Sequence, residues 1–353
     1  MTPDGDELGA RLRRRDLSAA PAALNLIESR SSDAREQTAA LLAAVSPAAL
    51  GAEAPAQIVG VTGPPGVGKS SLLSRLVTQW RGRERSVAVL AVDPSSRRSG
   101  GALLADRARI EVDPGDNGVF IRSSAAGERA GGLAPATRAA AAALAAAFDV
   151  VVIETVGVGQ SETDVAHVAD TVAVIVQPGS GDVLQFLKAG IMEVPDVLVV
   201  TKADLGRLAT RARSDLRSAL RLLGAGDTPV LAVSSVPPPS GIVELVAALD
   251  AHRLRLELPV RRLDARRTHA LADFIAEYGE RGLRALGGRR PAQRWLSEQD
   301  PGLDVAALER GLADRANGTA PDPERRANAS GRRAIATLGD FPLAKPSGRG
   351  DMG

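Results

Sequence analysis

The sequence predicts an α/β protein in which a mostly parallel β-sheet is flanked by helices. Short runs rich in Val and Ile recur along the middle of the chain and are nearly continuous, as in strands buried on both faces. Helix-compatible stretches separate most of these runs, and that order is typical of a parallel sheet. The predicted strands are 58–61, 87–92, 119–121, 150–153, 172–176, 197–200 and 230–233.

Helical patterns flank this sheet region on both sides. Residues 1–54 intersperse Leu and Ile with Ala, Glu and Arg, which predicts an N-terminal helical extension to a domain at 55–254. After Pro259 the strand pattern stops, and spaced apolar residues predict a C-terminal helical region at 255–316. Pro, Gly, Asn and Arg dominate 317–353, a composition typical of a disordered tail.

The composition limits the classes of protein that fit this sequence. Without cysteine, the chain has no disulfides, thiolate metal sites or cysteine nucleophile. A formal net charge of +2 gives no general case for binding nucleic acid or membranes. Residues 1–16 lack the apolar core of a secretory signal, and no apolar run of about 18 residues predicts a membrane span. We therefore expect a cytoplasmic protein that binds neither nucleic acid nor membrane.

A phosphate-binding loop pattern follows the first predicted strand and leads through Ser71 into a predicted helix. It fits G-x-x-x-x-G-K-[ST] and reads Gly63-Pro64-Pro65-Gly66-Val67-Gly68-Lys69-Ser70. Glycines let backbone N–H groups turn towards phosphate oxygens, Lys69 is expected to reach the β- and γ-phosphates, and the Ser70 hydroxyl takes a Mg²⁺ position. Only four of the 44 basic residues are lysines, so a chance match is rare. The loop therefore predicts a nucleotide site.

Acidic residues at the ends of two predicted strands are candidate Mg²⁺-side groups. Ligands of open α/β sheets bind at the carboxyl ends of the strands, where Asp93 and Glu154 are expected. Gly157, close after Glu154, lets the backbone approach a γ-phosphate and move when it is lost. Asp93 is equally compatible with a helix-capping or turn role before proline. Asp106, in a Gly/Arg-rich stretch, is either a switch acid or a solvated charge.

The segment Thr201-Lys202-Ala203-Asp204 is the candidate base-reading motif. The Asp204 carboxylate can accept hydrogen bonds from guanine N1–H and the exocyclic amine, a donor pair that adenine lacks. Thr201 stands where Asn is usual, so its hydroxyl is expected to keep one loop contact and base discrimination to be weaker. Alone, these residues would fit an ordinary strand-end turn. The candidate second guanine-side loop is Ser234-Ser235-Val236.

Long segments of the chain resemble the MeaB/ArgK (MMAA-like) family of GTPases. The resemblance covers about residues 8–315 and is carried by the following segments: AVDPSSRRSGGALLADRAR, FIRSSAAGERAGGLAPATR, DVVVIETVGVGQSE and QPGSGDVLQFLKAGIMEVPDVLVVTKAD. It implies a phosphate-loop, SIMIBI-type G domain that binds GTP or GDP with Mg²⁺ and hydrolyses GTP slowly without a partner.

The resemblance also implies partners and moving parts. The implied partner is the adenosylcobalamin-dependent methylmalonyl-CoA mutase or a related acyl-CoA mutase, whose cobalamin loading and protection the GTPase gates. Residues 255–316 match the family's homodimerisation extension. The segment from Gln177 to Lys188 matches a further switch of the family, and Lys188, Asp182 and Glu154 match the residues that couple it to nucleotide and partner. Asp93 and Asp106 match acids near Mg²⁺ and the hydrolytic water.

Three other functions compete with this expectation. A metal-insertion GTPase of the same superfamily would need Cys/His metal sites, whereas the chain has no Cys and three scattered histidines. A transport-linked ATPase or kinase, as ArgK implies, is disfavoured by Asp204. A non-hydrolysing, nucleotide-gated scaffold is compatible with Thr201 and with Ala105 and Ala108, which replace a Gly and a Thr of the family beside Asp106.

Overall fold

The computed structural model describes most of the chain. The described residues are 3–29, 31–93, 110–125, 135–155, 161–179 and 195–318, with the backbone alone at 93, 124–125 and 161–164. Four of the predicted site residues lie outside these ranges, namely Asp106, Gly157, Asp182 and Lys188. The predicted tail also lies outside them from residue 319 onwards.

The described strands form one parallel sheet, which confirms the predicted fold class. They are β1 (Gln57–Thr62), β2 (Val87–Asp93), β3 (Val119–Ala125), β4 (Val150–Thr155), β5 (Thr171–Val176), β6 (Val197–Val200) and β7 (Val230–Ala232). The order across the sheet is β3-β2-β4-β1-β5-β6-β7, and every neighbouring pair is parallel.

Helices precede the sheet, connect its strands and follow it. Those before and within the sheet region are α1 (Gly5–Arg13), α2 (Ala20–Glu28), α3 (Ser32–Ala44), α4 (Pro47–Leu50), α5 (Lys69–Arg81), α6 (Pro135–Ala145), α7 (Ser161–Val168), α8 (Arg207–Leu222) and α9 (Ile242–Leu254). After the sheet come α10 (Leu258–Ala285), α11 (Arg289–Ser297) and α12 (Val305–Ala316). No helix in the described part of the chain is both long and apolar enough to cross a membrane.

The sheet is buried on both faces because its strands are apolar at successive positions. Neighbouring residues of a strand point to opposite faces, so Ile58 joins one hydrophobic cluster and Val59 the other. The first cluster includes Leu144 of α6 and residues of the N-terminal helices. The second includes Trp80 of α5, which is fully buried. Helices thus cover both faces, as the nearly continuous strand pattern predicts.

The central strand marks the point where the chain changes direction across the sheet. β1 pairs with β4 on one side and with β5 on the other. The strands β2 and β3 lie beyond β4, whereas β6 and β7 lie beyond β5. Such a switch point opens a crevice at the carboxyl ends of the strands, where open α/β sheets bind ligands.

The C-terminal helices have a hydrophobic cluster of their own. Phe274 of α10, Leu296 of α11 and Leu308 of α12 are buried together in it. The spacing of apolar residues predicts a helix here, and the glycines at Gly279 and Gly282 are possible breaks in it. The structure interrupts the helix only at Gly279, whose φ of 62° and ψ of −164° are non-helical.

Candidate functional site

The loop between β1 and α5 has a backbone that requires glycine. Gly63, Gly66 and Gly68 have φ angles of 146°, 79° and 96°, a region that side chains with a Cβ rarely adopt. A Cβ at Gly63 would lie 2.1 Å from the carbonyl oxygen of Ile175 on β5. Gly63 is therefore required both by its φ angle and by close packing at the end of the central strand.

Lys69 is the first residue of α5 and is only 7% exposed. Its Nζ donates hydrogen bonds to the carbonyl oxygens of Gly63 at 2.8 Å and Pro64 at 3.2 Å. The ammonium therefore sits against the loop at the N-terminal end of a helix, where the helix dipole also favours anions. Ser70, the next residue of α5, is half-buried. This arrangement of charge and backbone suits a bound phosphate chain.

The sheet register brings the acidic strand ends towards this loop. Glu154 on β4 pairs with Val61 of β1 and with Ala91 of β2, and it is 7% exposed. The next residue, Thr155, donates a 2.9 Å hydrogen bond to the Thr62 hydroxyl at the end of β1. The backbone of Asp93 ends β2, the strand that flanks β4. Both acids predicted from the sequence therefore belong to the carboxyl edge that holds the loop.

The oxygen ligands available at this edge of the sheet fit a magnesium ion better than a softer metal. A serine hydroxyl and a buried carboxylate are oxygen ligands, and Mg²⁺ typically binds through one or two carboxylates together with substrate phosphates. Within the described ranges, no group of three or more His, Cys, Asp or Glu side chains could hold a metal ion. A magnesium site here would therefore draw on Ser70, Glu154 and the nucleotide.

Thr201 connects the base-reading segment to the phosphate loop. Its hydroxyl lies 2.7 Å from the Val67 carbonyl oxygen and 3.1 Å from that of Val176, and the residue is 4% exposed. The loop contact expected of this hydroxyl is present. A threonine can therefore fix the relative position of the two loops without the longer amide of Asn.

Asp204 and the 234–240 loop form the opposite end of the site. Ser234 donates a 2.7 Å hydrogen bond from its hydroxyl to Asp204 Oδ1. Backbone hydrogen bonds of 3.0 Å in both directions between Ser234 and Ser240 close the loop, which also carries the exposed Val236. One carboxylate oxygen of Asp204 is thereby fixed, which orients the other oxygen of an exposed carboxylate for a ligand.

Two contacts of the site have no signal in the sequence patterns. Arg75 of α5 donates a 3.0 Å hydrogen bond from Nε to the Ser235 carbonyl oxygen. Lys202 donates from Nζ to Gln177 Oε1, so the base-reading segment contacts the residue that opens the predicted switch. The partners of these residues lie far along the chain, and a carbonyl acceptor leaves no pattern in side-chain identity.

Replacing Arg75 with methionine should raise the KM for GTP roughly fivefold with little change in kcat, because one hydrogen bond to the 234–240 loop is worth about 1 kcal/mol. Methionine keeps the apolar stem and the helix propensity. Steady-state phosphate release gives both constants. Arg83→Met, two residues beyond the C-terminal end of the same helix, is the control; it removes an ion pair with Asp250 instead and should leave KM unchanged. An unchanged KM in Arg75→Met would show that this contact does not position the base.

The fold and this site together define a phosphate-loop nucleotide-binding protein of the GTPase class. Residues 20–280 match the family model described as methylmalonyl Co-A mutase-associated GTPase MeaB. The chain belongs to the MeaB family and is a GTPase that binds guanine nucleotide.

Individual relatives agree with this assignment. A probable GTPase of Mycobacterium tuberculosis is 40% identical over 282 residues, which are 76% of this chain and 80% of the relative. A methylmalonic aciduria type A homolog of Caenorhabditis elegans, a mitochondrial protein, is 41% identical over 171 residues, covering 47% of this chain and 42% of its own length. The crystal structure of a LAO/AO transport system kinase superposes with a TM-score of 0.59 at 28% identity and covers 94% of this chain and 96% of that one.

Proposed function

We propose that this protein is a GTP-hydrolysing chaperone that gates the delivery of adenosylcobalamin to methylmalonyl-CoA mutase, or a related acyl-CoA mutase, and protects that enzyme. The observation that carries the proposal is the pairing of a phosphate loop with a fixed guanine acceptor, Asp204, in a chain whose family is described as mutase-associated. The type A homolog of Caenorhabditis elegans supports the same connection, since methylmalonic aciduria is part of its name.

In the proposed reaction, the loop 63–71 holds the phosphates and Lys69 stabilises negative charge that develops on them. Ser70 and Glu154, with Asp93 and Asp106, are the proposed Mg²⁺-side groups, and one of these acids orients the attacking water. Magnesium, when bound, would neutralise phosphate charge. Water adds to the γ-phosphorus, the bond to the β-phosphate oxygen breaks, and GDP and inorganic phosphate leave.

The proposed transmission to the mutase starts beside the base. Gln177 accepts a hydrogen bond from Lys202, so the start of the proposed switch contacts the base-reading segment. Asp182 and Lys188, with Gly157 near the γ-phosphate, complete the proposed switch. We further propose that 1–54 is the N-terminal extension, that 55–254 is the GTPase domain and that residues 255–316 form the homodimer contact. The protein is proposed to act in the cytoplasm and to hydrolyse GTP slowly until the mutase binds it.

Guanine nucleotides should protect the protein against thermal unfolding more than ATP does. The reason is Asp204, whose carboxylate matches two guanine donors and faces no such pair on adenine. Differential scanning fluorimetry with GTP, GDP and ATP, each with Mg²⁺, measures this difference. Asp204→Asn should abolish the greater thermal protection by GTP, because the amide N–H₂ would face the N–H donors of guanine. Equal protection of the unaltered protein by ATP would remove the guanine assignment.

The superposed transport-system kinase favours a second candidate, phosphoryl transfer to a protein or small-molecule acceptor. A GTP assay separates the two functions. Labelled γ-phosphate appears as free phosphate in the first and on an acceptor in the second. The same assay distinguishes a hydrolase from a non-hydrolysing scaffold, which would release no phosphate with or without the mutase.

A further inference from the structure

A large cavity lies between the N-terminal helices and the C-terminal helices, away from the nucleotide site. Its volume is about 480 Å³, and its walls come from α2, α3, α4, α6, α7, α10 and α12. Ile58, near the start of β1, is part of the lining, whereas the phosphate loop follows the other end of that strand. A strand of this length spans roughly 20 Å. The cavity is therefore at the opposite edge of the sheet from the nucleotide site.

Ion pairs along one face of α10 fix the distance between this helix and the other walls of the cavity. Arg262 donates two hydrogen bonds to the Asp170 carboxylate, at 2.9 and 2.6 Å. Arg266 binds both oxygens of Glu53, at 3.0 and 2.8 Å. Asp273, two turns further along α10, accepts from Arg138 of α6. These pairs fix α10 against the sheet domain at three levels.

Between the ion pairs, the cavity surface is mostly small and apolar. Eight alanines from α3, α6, α10 and α12 line it, among them Ala39, Ala139, Ala265 and Ala306. Protein interiors are normally packed with few voids larger than a water molecule. Because the paired side chains set the spacing and the alanines do not fill it, the space fits an apolar ligand of small-molecule size.

Three further titratable groups of the lining are His269, Glu309 and Asp304. Burial, together with positive charge from Arg138 and His167, lowers the pKa of His269 to about 3, so this imidazole is neutral at physiological pH. Burial and the neighbouring Asp273 and Glu277 carboxylates raise the pKa of Glu309 to about 7, which reduces its negative charge near neutrality. Asp304 caps α12 by accepting from the Ala307 N–H at 2.8 Å.

Arg35 is the exception among the arginines of the lining. It lies in the first turns of α3, is exposed, and has no ion pair within the described residues, whereas Arg138, Arg262 and Arg266 all do. The hydroxyl-bearing Ser29 is also part of the lining and exposed. The edge of the apolar cavity therefore carries the Arg35 guanidinium, which has no ion pair within the described residues, and the nearby residue Ser29.

We propose that this cavity binds a small amphipathic monocarboxylate, with its apolar chain among the alanines and its carboxylate on Arg35. A guanidinium recognises a carboxylate through two parallel N–H donors, which gives the head group a defined position. The apolar chain gains free energy by leaving water, and the gain grows with each methylene that is buried. The other three arginines of the lining, Arg138, Arg262 and Arg266, already bind carboxylates of the protein, which leaves Arg35 as the guanidinium for the ligand.

Isothermal titration of the full chain with octanoate tests the proposal, with octanol as the probe that lacks the carboxylate. Octanoate should bind saturably with one site per chain and more tightly than octanol. Ala306→Leu, which fills the cavity, should weaken octanoate binding about tenfold. Ala307→Leu, on the same helix but outside the lining, is its matched control and should bind as the unaltered chain does.

The carboxylate assignment is tested on an exposed residue, so the result does not depend on repacking. Arg35→Gln should weaken octanoate binding about tenfold and leave octanol binding unchanged. Arg14→Gln, an exposed arginine outside the lining, should change neither. Absence of saturable octanoate binding, or equal binding by Ala306→Leu and Ala307→Leu, would overturn the site. Equal affinity for octanol and octanoate, or no effect of Arg35→Gln, would overturn the carboxylate contact.

Discussion

Lys69→Ala should lower the rate of GTP hydrolysis by about two to three orders of magnitude, the usual effect of removing one preorganised donor from developing charge. The ammonium lies within 2.8 Å of the Gly63 carbonyl oxygen and is almost fully buried, so its position is set before nucleotide arrives. The other three lysines of the chain, at positions 188, 202 and 345, do not belong to this loop. Single-turnover phosphate release with saturating enzyme isolates this effect from weaker binding.

Lys69→Arg is the informative control for that experiment. It keeps the charge but replaces a compact ammonium by a planar fork on a longer stem, which does not fit between two loop carbonyls. We expect it to be nearly as inactive as alanine, with an unchanged circular dichroism spectrum in both variants. Hydrolysis by Lys69→Ala within tenfold of the unaltered protein would show that this lysine does not stabilise the transferred phosphoryl group.

Gly63→Ala should destabilise the protein by about 3 kcal/mol and abolish nucleotide binding. The new Cβ would lie 2.1 Å from the Ile175 carbonyl oxygen, and this acceptor is backbone of a buried strand that cannot move aside. The φ of 146° adds conformational strain for any residue with a side chain. Urea unfolding followed by circular dichroism gives the change in the free energy of unfolding.

Gly66→Ala separates the steric clash with Ile175 from the conformational strain of a positive φ. Gly66 also has a positive φ, of 79°, but a Cβ there meets nothing within 4 Å. This variant should lose only about 1 kcal/mol, the cost of the left-handed conformation alone. If both variants lost the same amount, the close approach to Ile175 would have no energetic consequence.

Much of the fold could be predicted because the relevant signals are local. Seven runs of β-branched residues predicted the strands, and the phosphate-loop pattern predicted a helix directly after it, which is α5 and begins at Lys69. Local signals also have limits. Gly279 and Gly282 are both possible breaks, yet only Gly279 adopts a non-helical conformation, while a Cβ at Gly282 would contact Tyr278 and Phe274. Two glycines that look alike in sequence therefore differ in backbone conformation and in the space around them.

The parts of the site that could not be predicted depend on contacts between distant segments. The spacing of Thr201 and Asp204 suggests a base-reading segment, but only the fold shows that the Thr201 hydroxyl reaches the Val67 carbonyl, 134 residues away. Arg75 reaches Ser235 across 160 residues in the same way. The ion pairs of α10 with Asp170, Glu53 and Arg138 are equally long-range. Arginine is so common in this chain that none of them stands out in sequence.

The measurement that tests the proposed chaperone role most directly is cobalamin loading of the mutase. Purified apo-methylmalonyl-CoA mutase, adenosylcobalamin and this protein are mixed with GTP, GDP or a non-hydrolysable GTP analogue, and bound cobalamin is followed by its absorbance. The proposal predicts that loading depends on which nucleotide is present, and that Lys69→Ala removes the difference between GTP and the analogue. Loading that is the same with all three nucleotides, and with the protein left out, would contradict it.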